Sequence, residues 1–204
     1  MTSAQPRTVV TGEDWYGREL SGVSFLDTDF VDVDLGEVST IGAVFEGCTF
    51  RRCRFNTSIH TDSAFTGCTF DYCGFFDVRF IRCKLVGSSF RSCELDLLQV
   101  EGGNWGFVSL RAADLTTTRW RGTRLGEADL EGARAGAAVL RDLDLTGAVF
   151  DGIDLRGADL RGSSLWSLDP ARASLRGAII TPEQAQVIAL GLGLDIRDED
   201  GPSL

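Results

Sequence analysis

A single histidine, His60, serves this whole 204-residue chain, so no Ser–His–Asp or Cys–His catalytic arrangement can form without that one imidazole. Proline is scarce too, at 4 residues, as suits a chain whose backbone N–H groups are committed to a ladder. No apolar run approaches the ~20 residues of a membrane span. The N-terminus, MTSAQPRTVVTGEDW, lacks the charged–apolar–small layout of a signal peptide. The expectation is a cytoplasmic protein without membrane contact, its 6 cysteines reduced thiols. Walker and dinucleotide glycine loops are missing. Basic residues are outnumbered, 20 against 30 acidic ones, for a net charge of −10. Nucleic-acid affinity depends on neutralising phosphates with Lys and Arg, so direct nucleic-acid binding is not expected. Catalysis, a cofactor and a metal are not expected either.

What the chain does have is a frame of five. Steps of five from Leu20 meet Phe25, Phe30, Leu35, Thr40, Phe45, Phe50, Phe55, His60 and Phe65, and continue without a shift to Ile180. Only Thr40, His60, Ala135 and Pro170 in that series are not large and apolar. Two residues earlier lies a series of small residues, including Ala43, Cys48, Cys53, Ser58, Ser63, Cys68 and Cys73. Two residues later glycine recurs, as at Gly22, Gly42 and Gly67. A period of five fits neither a helix nor a long strand. It fits a coil that turns a corner every five residues, the glycine position supplying the positive φ of the turn. Four sides close a square coil of about 20 residues, and coils stack as parallel strands with large side chains inside.

All six cysteines fall in the small inward series. They alternate there with alanine, serine and valine, which is the behaviour of a small buried hydrophobe rather than of ligands converging on one tetrahedral point. Thr40 and His60 are stacked one coil apart at inward positions. The expectation for His60 is a buried neutral imidazole bonded to a nearby hydroxyl or backbone group; the alternative is a local bend or widening of that wall. Pro170, at a central position, predicts an irregular last coil.

After Ile180 the grammar changes. Thr181 can N-cap a helix, Pro182 suits its first position, Gln184 completes a capping box, and Gly191 is the expected stop. Leu192, Leu194 and Ile196 alternate like a short strand. One helix face can plug the open end of the coil. The remaining apolar residues, Ala185, Val187, Ile188, Leu190, Leu192 and Leu194, predict a tail-to-tail homodimer interface. The domain reading is a lead-in at 1–17, repeats at 18–180, and a capping and dimerising tail at 181–204.

The run Ala158-Asp159-Leu160-Arg161-Gly162, nearly repeated at 113–115 and 128–132, resembles the consensus of the pentapeptide-repeat family. That resemblance implies an all-β fold: a right-handed quadrilateral parallel β-helix, here with a short C-terminal helix. An unbroken rod ending in TPEQAQVIALGLGLDI is similar to the MfpA- and Qnr-type branch, and most to its mycobacterial quinolone-resistance type, because no loop interrupts the frame. This resemblance implies a homodimer that imitates B-form DNA, binds DNA gyrase and protects it from quinolones. About eight coils at ~4.8 Å give a rod near 40 Å, and a tail-to-tail dimer of ~80 Å spans about 23 base pairs. Sorted by side, the wall of Leu35 has the largest excess of acid, while the wall of Leu20 is slightly basic. The expected partner-binding residues are Asp29, Asp34, Asp77, Glu94, Asp96, Asp114, Asp129 and Asp154. A pentapeptide-repeat scaffold for another protein, without a topoisomerase role, is the alternative.

Overall fold

The computed structural model describes residues 7–197. Every β pairing in it is parallel and joins residue i to i+20, as in Leu20↔Thr40, Phe25↔Phe45 and Phe30↔Phe50. The chain is therefore a parallel β-solenoid with a 20-residue coil. The Leu20 wall is a seven-stranded sheet from Glu19–Ser21 to Val139–Arg141, the Phe30 wall has five strands, and the Phe25 wall has three. The fourth wall, that of Leu35, is a column of single bridges: Asp14↔Asp34↔Arg54↔Gly74↔Glu94, then Asp114↔Arg134↔Asp154↔Ser174.

Strand spacing explains the interior. Coils about 4.8 Å apart set ring on ring wherever phenylalanine follows phenylalanine. Phe30 and Phe50 stack at 4.7 Å, Phe45 and Phe65 at 4.7 Å, and Phe55 and Phe75 at 4.8 Å, all with nearly parallel planes. Neighbouring walls meet edge to face, as Phe55 does Phe70. Both geometries suit the aromatic quadrupole. Beyond Leu110 the interior passes mainly to leucine.

The small inward residues have a second task. Cysteines 48, 53, 68, 73, 83 and 93 all lack disulfides, and all but Cys93 are fully buried. The Cys48 thiol points at Phe25 O (3.4 Å), that of Cys68 at Phe45 O (3.4 Å), and that of Cys73 at Phe50 O (3.3 Å). Ser163 bonds Leu140 O in the same register, at 2.8 Å. A thiol or hydroxyl in this slot thus reaches the carbonyl that precedes the corner one coil below, which alanine cannot do.

His60 is buried beside Thr40, whose hydroxyl lies 2.9 Å from Nδ1, while the Ser58 hydroxyl lies 2.9 Å from Nε2. The rungs Thr40↔His60↔Phe80 are intact, so the wall neither bends nor widens there. The ladder does skip one step on the Leu35 wall: Glu94 bridges Gly74 below, Asp114 bridges Arg134 above, and they do not bridge each other. Instead the Leu97 N–H donates to the Thr117 hydroxyl at 3.0 Å.

Both ends depart from expectation in detail. The ladder already begins at Thr8, inside the segment 1–17 taken as a lead-in, with Val10 paired to Phe30 and Trp15 buried in the five-residue frame. Around Pro170 the last coil is irregular, as its sequence predicts: Gly152 N–H donates to Arg172 O, one residue out of register. The C-terminal helix spans Pro182–Gly191 with the full Thr181–Gln184 capping box. Gly191 is its last helical residue, not the left-handed stop beyond the end. Leu192 is the C-cap and Gly193 takes the left-handed φ of +76°. Gly191 serves close approach instead, since a Cβ there would lie 2.9 Å from Pro170 Cδ. The short strand expected at Leu192–Ile196 does not form; the described residues after Gly193 have no regular structure.

Candidate functional site

The outward residues of a five-residue side flank its buried central residue, so each wall presents two straight columns of side chains and its corners. Six of the eight acids expected at the site, Asp34, Asp77, Glu94, Asp96, Asp114 and Asp154, share the Leu35 wall. Asp29 and Asp129 lie on the adjacent Phe30 wall.

Arginine neutralises many of them. Asp29 pairs with Arg7 at 2.7 Å, Asp34 with Arg54 at 2.6 Å, Asp114 with Arg134 at 2.9 Å and Asp154 with Arg156 at 2.6 Å; Asp129 lies 3.9 Å from Arg111. The Arg134 hydrogen bond, helped by Thr116, lowers the pKa of Asp114. Hydrogen bonds from Arg156 bring that of Asp154 down to about 2. Such exposed pairs contribute little stability each, but they offset the negative charge an acid presents to a partner. Asp77, Glu94 and Asp96 have no cationic partner among the described residues. Asp77 accepts from Gln99 Nε2 at 3.2 Å, and Asp96 lies 3.4 Å from the Thr117 hydroxyl. These three cluster at mid-rod, where the ladder skips its step.

The pairing was readable in principle. Asp32–Arg52, Asp34–Arg54, Asp62–Arg82 and Asp114–Arg134 all join i to i+20, the same interval as the strand pairs. Counting charge wall by wall hides it; counting down each column shows it. Sequence reasoning also missed Phe76 and Leu97, large apolar residues at outward positions beside the three free acids, both exposed. Their place in the frame was the available signal.

At the C-terminal end, Gln184 is the helix residue that enters the core. Its Nε2 donates to Leu160 O and Ser163 O, each at 2.7 Å, while its Oε1 accepts from Thr181 N–H. Val187 and Ile188 are half-buried against the last coil, so of the expected interface residues these two mainly cap. Ala185, Leu190, Leu192 and Leu194 remain exposed, joined by Trp166, which is 74% exposed and borders a groove with Val187 and Leu190. Among the described residues, no cluster of His, Cys, Asp or Glu could hold a metal, and no helix is long and apolar enough to cross a membrane.

Comparison with known proteins bears on this arrangement. The family model "Pentapeptide repeats" matches in 8 copies over residues 123–162 and 154–181. No curated protein sequence matches the chain. Among solved structures, a trypsin-treated variant of QnrB1, a plasmid-mediated fluoroquinolone resistance protein, superposes with a TM-score of 0.69 at 20% identity, over 94% of this chain and 98% of its own. Full-length QnrB1 gives 0.67 at 20% identity, over 92% and 98%. HetL, a pentapeptide repeat protein involved in heterocyst differentiation regulation in the cyanobacterium Nostoc, gives 0.51 at 19%, over 84% and 82%. At these identities the likeness is one of fold.

Proposed function

Since this chain belongs to the pentapeptide-repeat family, we propose that it is a binding protein of the quinolone-resistance kind: a homodimeric, non-enzymatic rod that imitates DNA and binds DNA gyrase, modulating it and protecting it from quinolones. The observation that carries this reading is the Leu35 wall, a straight column of outward side chains on a rigid rod, with Asp77, Glu94 and Asp96 free of arginine at its middle. A basic saddle that holds duplex DNA would meet those carboxylates, drawn by electrostatic steering. The likeness in fold to QnrB1 over nearly the whole of both chains supports the assignment. The exposed Trp166, Leu190, Leu192 and Leu194 support a tail-to-tail dimer.

A second reading has its own observation. Five of the eight expected acids are paired with arginine, which leaves far less than the duplex density of one charge per ~1.7 Å. A scaffold for some other protein partner needs no more charge than that. A gyrase supercoiling assay, titrated with this protein with and without a quinolone at two salt concentrations, separates the two. Inhibition or relief of drug-induced cleavage, weaker at high salt, is the expected result; indifference of gyrase at both salts leaves the scaffold reading.

A further inference from the structure

Within their own columns of the Leu35 wall, Phe76 and Leu97 are the large, wholly apolar side chains; the other described positions there are polar, glycine, Ala137 or Tyr16. Phe76 occupies the column of Asn56, Asp96 and Thr116, and Leu97 the corner column of Gly17, Thr57 and Gly157. Both face solvent, 49% and 46% exposed. Leu97 is also held at φ +58°, a left-handed conformation that a leucine adopts only at an energetic cost and that glycine would adopt freely. Neither side chain belongs to the buried core or packs against it. The two are adjacent: Asp77, which follows Phe76, donates its N–H to the carbonyl of Asp96, which precedes Leu97 (2.9 Å). Asp77, Glu94 and Asp96 surround this step without a cationic partner among the described residues, and the layers on either side present the uncharged Asn56, Thr57, Thr116 and Thr117.

We propose that the Phe76–Leu97 step is the anchor of the acidic wall, seating one apolar side chain of a basic protein surface while Asp77, Glu94 and Asp96 meet the Lys or Arg residues that flank it. This deepens the function proposed above and rests on it. The carboxylates select the occupant. A phosphate-bearing polymer or a second copy of this wall would bring like charge to the same place, whereas a basic protein surface brings the opposite one. A buried apolar anchor within a charged surround is also the usual composition of an interface hot spot.

The two parts of the contact respond differently to salt, which makes them separable. Full-length protein and gyrase are titrated at two salt concentrations, with Leu97→Gly, Phe76→Ser/Leu97→Gly and Asp77→Asn/Glu94→Gln/Asp96→Asn variants. The Phe76→Ser/Leu97→Gly variant is expected to weaken binding by about tenfold or more with the salt dependence of the wild type. The triple charge variant is expected to flatten that dependence. Leu97→Gly alone relieves the left-handed leucine, so it should raise Tm and still weaken binding, a combination that a purely structural role would not produce. Wild-type binding that the Phe76→Ser/Leu97→Gly variant retains within about twofold overturns the anchor and leaves the gyrase reading intact. No wild-type binding at either salt overturns both.

Discussion

The imidazole of His60 lies over the ring of Phe80, centroids 4.9 Å apart and planes 21° from parallel, so it continues the interior stack of phenylalanine and tryptophan as a third kind of ring. Phe55 and Phe65 meet it edge-on. Its two nitrogens are taken by hydroxyls, Thr40 on one side and Ser58 on the other, and the Thr40 hydroxyl lies 2.9 Å from that of Ser63. A polar ring can replace phenylalanine here because the Thr40 and Ser58 hydroxyls complete its hydrogen bonds and Ser63 completes that of Thr40.

That burial makes the fold acid-labile in a defined window. Burial pushes the His60 pKa down from 6.5 to about 3, so on acidification the unfolded chain takes up its proton first. The stability contribution is fully present above pH 6.5 and is lost as pH falls from 6.5 toward 3; by pH 5 the loss is about 2 kcal/mol. Asp154 and Asp159, held near 2 by Arg156 and Arg161, act only below their unfolded values of roughly 3.9, which is below the interval between pH 7 and pH 5 where His60 can be read alone. Denaturant midpoints at pH 7 and pH 5 should differ for the wild type and converge for a Thr40→Val/Ser58→Ala/His60→Phe variant. Equal wild-type midpoints would show that the ring is not buried neutral.

Glycine substitutions should divide sharply by position. At Gly22 a Cβ meets nothing within 4 Å, and only its φ of +64° opposes alanine, which costs about 1 kcal/mol. At Gly103 the φ is +83° and a Cβ would fall 2.1 Å from the carbonyl oxygen of Cys83, a backbone clash that no rotamer relieves. Gly103→Ala is therefore expected to lower stability by more than about 3 kcal/mol, read from urea unfolding, and Gly22→Ala by a third of that or less. Equal losses at the two positions would refute the close approach.

The repeat frame was legible because it is local. Each five-residue side carries its own large, small and corner residues, so the coil, its parallel pairing and the inward place of every cysteine follow from spacing alone. The helix start was legible for the same reason, since Thr181, Pro182 and Gln184 are neighbours in sequence. What escaped depends on distance. Gly191 reads as a stop until Pro170 is known to lie against it. Asp34 and Asp114 read as free acids until Arg54 and Arg134 are placed one coil away. Val10 and Trp15 fit the frame, but without a preceding coil nothing in the sequence alone marks them as paired.

Gln184 ties the helix to the rod by side-chain hydrogen bonds that no local pattern requires. Gln184→Leu preserves the volume but leaves the Ser163 carbonyl and the Thr181 N–H unpartnered, at about 1–3 kcal/mol, while Leu160 O keeps the Ser163 N–H. Because Val187 and Ile188 still cover the last coil, the expected result is faster hydrogen exchange confined to 181–193 with the Phe-stacked coils unchanged. Global destabilisation of equal size across all coils would mean that the helix and solenoid unfold as one unit.

The exposed end of the rod gives the test of assembly. Leu190, Leu192 and Leu194 are each about half exposed beside Trp166, an apolar patch larger than scattered surface residues account for. The acid-rich side walls repel like walls, so an end-to-end twofold contact buries apolar surface without opposing carboxylates. In sedimentation equilibrium the wild type is expected at twice the 22.1 kDa chain mass, and Leu190→Ser/Leu192→Ser/Leu194→Ser at the chain mass with its Tm little changed, since these side chains do not pack against the core. A wild type that sediments as a monomer at every concentration would assign the patch to a different partner. A triple variant that stays dimeric would move the interface off the tail. If the dimer forms as expected, the same variant halves the length of acidic wall offered to a partner, and gyrase binding should weaken with it even though Asp77, Glu94 and Asp96 are untouched.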